Sequence, residues 1–98
     1  MKHSLTPIAE EELIATARYY SQKASPRIAK AFIAEFKRAI MLMEQNQQIG
    51  TPTEAGLRIY PFRRFPYSIV YEESKTGPLV YAIASQYRRP NYWLDRIK

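Results

Sequence analysis

Ninety-eight residues with one His and no Cys amount to one domain's length of chain, which excludes the architecture of most multi-domain enzymes. Disulfides, thiolate nucleophiles and Cys-containing zinc patterns are excluded too, and His3 alone cannot build a His-rich metal site, so no cofactor or metal is expected. Fifteen Lys+Arg against nine Asp+Glu leave +6, a balance that suits a nucleic acid or an acidic protein partner, with plain solubilising charge as the alternative.

In chain order, Lys2–Leu5 reads as a short strand. Thr6-Pro7 then marks a helix start, with Thr as N-cap, Pro in the first turn and Glu10, Glu11 and Glu12 near the positive dipole end. Ala9, Leu13, Ala17 and Tyr20 follow a helical stripe, widened by Ile14, and predict a helix from residue 7 to about 23. Ser25-Pro26 repeats the device. A second helix starts there with Ile28, Phe32, Phe36, Ile40 and Met43 on one face, and it fades at residues 46–50. So short a link predicts an antiparallel helical hairpin.

After Gly50-Thr51-Pro52 the period changes from helical to alternating. Residues 56–62, 67–71 and 79–86 read as three strands of an antiparallel meander, with turns at 63–66 and 73–78. Pro90 ends the last strand, and a short helical turn or coil follows. The expected fold is α+β, in the order β-α-α-β-β-β: one domain over residues 1–98, with an antiparallel sheet packed on an N-terminal helical hairpin. Residues 1–12 have no apolar h-region, and the longest purely apolar run is Ala39–Met43. Neither a signal peptide nor a membrane span is expected, and the composition suits a reducing cytoplasm.

Several chemistries lack their residues. Gly50, Gly56 and Gly77 are scattered, so no phosphate-cradling loop is formed. The glutamates at 10–12 and at 72–73 read as solvated charge, because a general acid needs a partly buried pocket. A Ser-His dyad would have to use His3, with neither an oriented base nor an oxyanion hole in view. What stands out is arginine beside aromatic rings, in Arg58-Ile-Tyr-Pro-Phe-Arg-Arg-Phe-Pro-Tyr67 and in Tyr87-Arg-Arg-Pro-Asn-Tyr-Trp93. Such pairs can neutralise phosphate and stack on bases. Residues 50–98 carry eight basic and four acidic side chains, against seven and five in residues 1–49.

These segments carry a family resemblance. Gly56-Leu57-Arg58, then Phe65-Pro66-Tyr67 leading into Ile69-Val70-Tyr71, then Ala82-Ile83-Ala84 followed by Arg88-Arg89-Pro90 and Tyr92-Trp93, resemble the toxin component of RelE/ParE-type type II toxin–antitoxin systems, the plasmid stabilisation proteins. The likeness extends to Leu5-Thr6-Pro7-Ile8-Ala9, Ala17-Arg18-Tyr19-Tyr20 and Ala31-Phe32, and so covers nearly the whole chain. It implies a compact cytoplasmic toxin that inhibits growth until a cognate antitoxin wraps and neutralises it. It leaves two targets: RelE-like members cut mRNA in the ribosomal decoding site, and ParE-like members inhibit DNA gyrase.

The residues lean toward the second. RNA cleavage by the 2′-hydroxyl needs a base, an acid and positive charge on the phosphate. Arg58, Arg88 and Arg89 could supply charge and Tyr92 a weak acid, but no base is evident, since arginine stays protonated and tyrosine titrates near 10. The stretch from Gly50 to Arg58 lacks the lysines of RelE-like nucleases, and Ser85-Gln86-Tyr87 stands where many relatives carry His. The expected function is therefore binding of gyrase, with target contacts drawn from Arg58, Arg63, Arg64, Arg88, Arg89, Tyr92 and Trp93. An mRNA endonuclease is the alternative, and a non-toxic nucleic-acid-binding module is a third reading. Plainer roles stand beside these. A salt bridge to Glu72 or Asp95 would explain Arg58, and Trp93 could be a lid over the sheet. At least two of Tyr67, Ile69 and Tyr71 should contact Phe32 or Phe36 in the core.

Overall fold

The computed structural model describes residues 3–97. α1 (Pro7–Lys23) and α2 (Pro26–Gln45) begin as the paired Ser/Thr-Pro signals require: the Thr6 hydroxyl accepts the Ala9 N–H at 3.2 Å and the Ser25 hydroxyl accepts that of Ile28 at 3.2 Å. Each cap satisfies one of the orphan donors of its helix. The strands are β1 (Ser4–Leu5), β2 (Thr51–Pro52), β3 (Arg58–Pro61), β4 (Tyr67–Glu72) and β5 (Leu79–Ser85), with 3₁₀ turns at Gln47–Ile49 and Tyr92–Arg96. Lys2, expected in the first strand, lies outside the described residues.

The sheet has the order β1-β5-β4-β3-β2. Its meander is antiparallel as expected, but β1 joins the far edge parallel to β5, so the sheet as a whole is mixed. The parallel pair follows from the fold: α1 and α2 return the chain before β3 begins, and Thr6 then donates to the Val80 carbonyl at 2.9 Å. β2 was not expected. Its residues read as a helix stop followed by a breaker, yet Thr51 and Pro52 pair with Ile59 and Arg58 at the opposite edge, where proline's missing donor costs no central ladder bond.

The helices cover one sheet face. Phe32, Phe36, Ile40 and Met43 of α2 and Ala9 of α1 pack on Ile69, Tyr71, Val80 and Ile83, and Tyr67 lies at the margin, its ring centroid 5.8 Å from that of Phe32. Ile14 is 48% exposed and does not widen the stripe. At 3.6 residues per turn it sits about 140° around the helix from Ala9, whereas Thr16, which is buried, sits about 20° away. The other sheet face carries a smaller cluster in which Tyr92 and Trp93 close over Leu57, Val70 and Ala82. A bulge divides β5 between the two faces. Val70 pairs with Ala82 but Tyr71 with Val80, so Tyr81 and Ala82 both turn to the smaller cluster while Val80 and Ile83 face the helices.

Candidate functional site

Arg58 opens β3 at the sheet edge that faces the end of α2. Its Nε donates to Glu73 Oε2 at 2.9 Å, and its Nη1 donates to the carbonyls of Gly50 at 2.8 Å and Gln48 at 3.2 Å. The plainer role, a salt bridge, is the one seen, but with Glu73 as partner in place of Glu72 or Asp95. Glu72 instead accepts the Tyr81 hydroxyl at 3.2 Å, so neither member of this acidic pair is simply solvated. The guanidinium fork ties the strand to the loop after α2, a task that suits its fixed geometry. The same loop is held by Tyr71, whose hydroxyl donates to the Gln47 carbonyl at 2.6 Å and accepts the Gly50 N–H at 2.9 Å. Burial, the larger influence, raises the Tyr71 hydroxyl above its usual pKa, and it stays a neutral donor.

Glu12 was expected in solvent and is instead the centre of a knot. The Arg96 guanidinium grips both carboxylate oxygens, at 2.9 and 2.8 Å, the Tyr92 hydroxyl donates at 2.8 Å and the Ile83 N–H at 3.0 Å. Arg96 also donates to the Tyr81 carbonyl at 3.0 Å. These bonds satisfy the part of β5 that β1 is too short to reach, and they cover an edge that would otherwise template pairing with another chain. Burial alone would raise the Glu12 carboxyl, but the hydrogen bonds from Arg96, Ile83 and Tyr92 and the Arg96 charge outweigh it and hold the group below the usual range. Tyr92 is pushed up to about 12 by burial first and by the Glu12 carboxylate second.

The smaller cluster leaves a cleft of about 280 Å³ at its margin. Ile59, Val70 and Ala84 line it from the sheet, Ser68 and Ser85 supply hydroxyls, and Arg88, Arg89, Tyr92 and Trp93 line it from the C-terminal segment. Asn91 turns that segment with φ 62°, a left-handed conformation that Asn tolerates. Trp93 is the lid over the sheet, 3% exposed, and Tyr92 is buried beside it. Both rings, expected among the target contacts, thus lie beneath the surface. Arg88 lies over the Tyr92 ring at 3.7 Å, and both Arg88 and Arg89 are exposed.

Arg63 and Arg64 lie in the β3–β4 turn, also exposed. The backbone N–H of Arg63 donates to the Glu35 carboxylate, and Arg64 Nε lies 3.7 Å from Glu35 Oε1 with its side chain 70% exposed. The expected site residues therefore divide. Arg58 is held in a salt bridge at the sheet margin and Tyr92 and Trp93 are buried, while Arg63, Arg64, Arg88 and Arg89 present their side chains to solvent. Sequence reasoning missed the Glu12–Arg96 pair, whose signal was the position of Glu12 on the inward arc of α1.

A two-helix hairpin thus covers one face of a meander, and exposed arginines rim a shallow cleft on the other. Residues 4–90 match the family of ParE toxins of type II toxin–antitoxin systems, parDE, and the chain belongs to that family. It is thus a toxin whose partner is a cognate antitoxin. Among solved structures it is similar to a chain of the chromosomal ParDE toxin–antitoxin system from P. aeruginosa. That likeness has 23% identity and a TM-score of 0.75, covers 87% of this chain and 95% of that one, and shows the shared fold. No curated protein sequence matches the chain. Among the described residues no helix is long and apolar enough to cross a membrane.

Proposed function

We propose that this toxin acts by holding its target, DNA gyrase, rather than by cutting RNA, and that Arg63, Arg64, Arg88 and Arg89 supply the contacts. One observation carries the reading: the arginine-rimmed cleft has no side chain able to take a proton at neutral pH. Ser, Gln, Asn, Arg and apolar residues line it, and its Tyr92 is pushed up to about 12 with the hydroxyl already given to Glu12. A cleft with charge but no base can bind a phosphate or carboxylate and cannot readily activate a 2′-hydroxyl. An acidic antitoxin segment would release the target by covering the same cations.

The test is direct. Purified toxin titrated into a gyrase supercoiling assay should inhibit it, while mRNA on translating ribosomes stays intact. Cleavage in the ribosomal A site with supercoiling untouched would replace this reading by the nuclease one.

A further inference from the structure

The strands set a direction along which charge is sorted. β4 runs antiparallel to β3 and β5, so Pro61, Tyr67 and Ser85 lie at one end of the sheet, and Arg58, Glu72 and Leu79 lie at the other. α1 starts beside Val80 and ends against Tyr67, where the Tyr20 and Tyr67 ring centroids are 6.3 Å apart. The turn into α2 is therefore at the Tyr67 end. The C-terminal end of α2 is at the opposite one, where the Gln47 side chain donates to the Ser74 carbonyl at 2.9 Å.

The Tyr67 end gathers Lys23, Arg27, Arg63, Arg64, Arg88 and Arg89, all exposed. Residues 18–34, 60–70 and 82–93, which contain that end, have no Asp or Glu. The carboxylates Glu44, Glu54, Glu72 and Glu73 lie at the other end, as do Glu10 and Glu11 at the start of α1. There Arg58 is already paired with Glu73. Glu35, midway along α2, directs its carboxylate to the Arg63 backbone.

The cationic end also carries exposed tyrosine. Tyr87, just before Arg88, is 86% exposed, and Tyr19 is 53% exposed. The Tyr19 ring stands edge-on to Tyr20 at 5.5 Å, Tyr20 packs on Phe32 at 5.6 Å, and Phe32 stacks on Phe62 at 5.0 Å. The exposed Tyr19 ring is thus backed by a run of rings reaching the core, so little freedom remains to be lost when it is covered. Tyrosine and arginine together are the residue types that dominate protein–protein hot spots.

We propose that this pole is the surface that docks on the target, with Tyr19 and Tyr87 as anchors among its arginines, and that its counterpart is an acidic protein surface. The proposal rests on the binding reading and deepens it. Nucleic acid fits less well: the ring next to Tyr19, that of Tyr20, is inclined to it at 72° and packed against the core, so the pair gives no row of parallel exposed faces for successive bases. Charge sorted along one direction also orients the approach, because the cationic pole leads toward an acidic partner.

The experiment uses the full-length toxin, the double variant Tyr19→Ala/Tyr87→Ala, the charge reversal Arg88→Glu/Arg89→Glu, and Lys75→Glu at the opposite pole. Each is melted to confirm folding, measured for binding to purified gyrase and to a short DNA duplex over a salt series, and induced in cells for growth arrest. Both pole variants should melt like the parent and lose at least about tenfold in gyrase affinity, the effect of one anchor, together with growth arrest. Lys75→Glu should retain both, and the parent's association rate should fall with salt. If gyrase proves not to be bound but arrest still vanishes with the pole variants, the docking surface stands and only gyrase is removed. Folded pole variants as toxic as the parent overturn the proposal. So does parental binding to the naked duplex that is as tight as to protein and is lost in both variants.

Discussion

Glu12 shows how a single carboxylate can hold both ends of a chain. It joins α1, β5 and the C-terminal turn, and its side chain is only 17% exposed, as is that of Arg96. Glu12→Gln leaves the guanidinium without its counter-charge and should cost roughly 2 kcal/mol, lowering Tm by on the order of 10 °C. The pH dependence has a definite sign. The folded carboxyl is held below the usual range, so its stabilisation is complete above about pH 4.3, the ordinary glutamate value, and is lost as pH falls through the lower folded value. Melting between neutral and acid pH should show a shallower acid loss in the Gln variant. An unchanged acid slope would mean that other carboxylates govern acid unfolding. The sequence held the clue to this role: Glu10 and Glu11 point away from the Ala9 stripe and Glu12 lies about 60° from it, but the partner that makes the position useful is 84 residues distant.

At the scale of elements, most of the fold was legible because its signals are local. Thr6-Pro7 and Ser25-Pro26 mark both helix starts through a cap and a fixed φ, and the period change after Pro52 marks the sheet. β1's parallel pairing and β2's existence were not legible, since pairs of so few residues carry no periodicity and take their register from tertiary contacts. The junction after α2 is similar. Gly50 has an ordinary φ of −77°, so its need for glycine is spatial: a Cβ there would meet Tyr71 Oη at 2.7 Å and Cε1 at 2.9 Å. The Tyr71 ring is fully buried and hydrogen-bonded on both sides, and it has no free direction in which to yield. Gly50→Ala should therefore destabilise by about 1–3 kcal/mol, read as a fall in thermal midpoint. A midpoint equal to the parent's would show that the ring can shift.

For the whole molecule, net charge read by halves of the chain pointed to the late arginines, but folding redistributes them. Arg58 and Arg96 are consumed in pairs, while Arg63 and Arg64 join cations from the helical hairpin. Sequence order could not show that sorting, because it arises from strand direction. Nor could it show that Trp93 and Tyr92 sit beneath the surface, since an aromatic next to arginine reads alike as anchor or lid. Their role as lid has a measurable result. Removing residues 92–98 uncovers Leu57, Val70 and Ala82 and unmakes the Glu12 knot. The shortened chain should bind a hydrophobic dye and exchange the Ile83 amide rapidly. A shortened chain that melts like the parent and stays dye-free would show that the sheet does not need its cover.

The pairing of β1 with β5 and of Glu12 with Arg96 joins residues far apart along the chain, 84 positions in the case of Glu12 and Arg96. A nascent chain therefore cannot close either contact until β5 and Arg96 have left the ribosome, however early its helices form. Until then the poison is incomplete, which leaves an interval in which a waiting antitoxin can meet it.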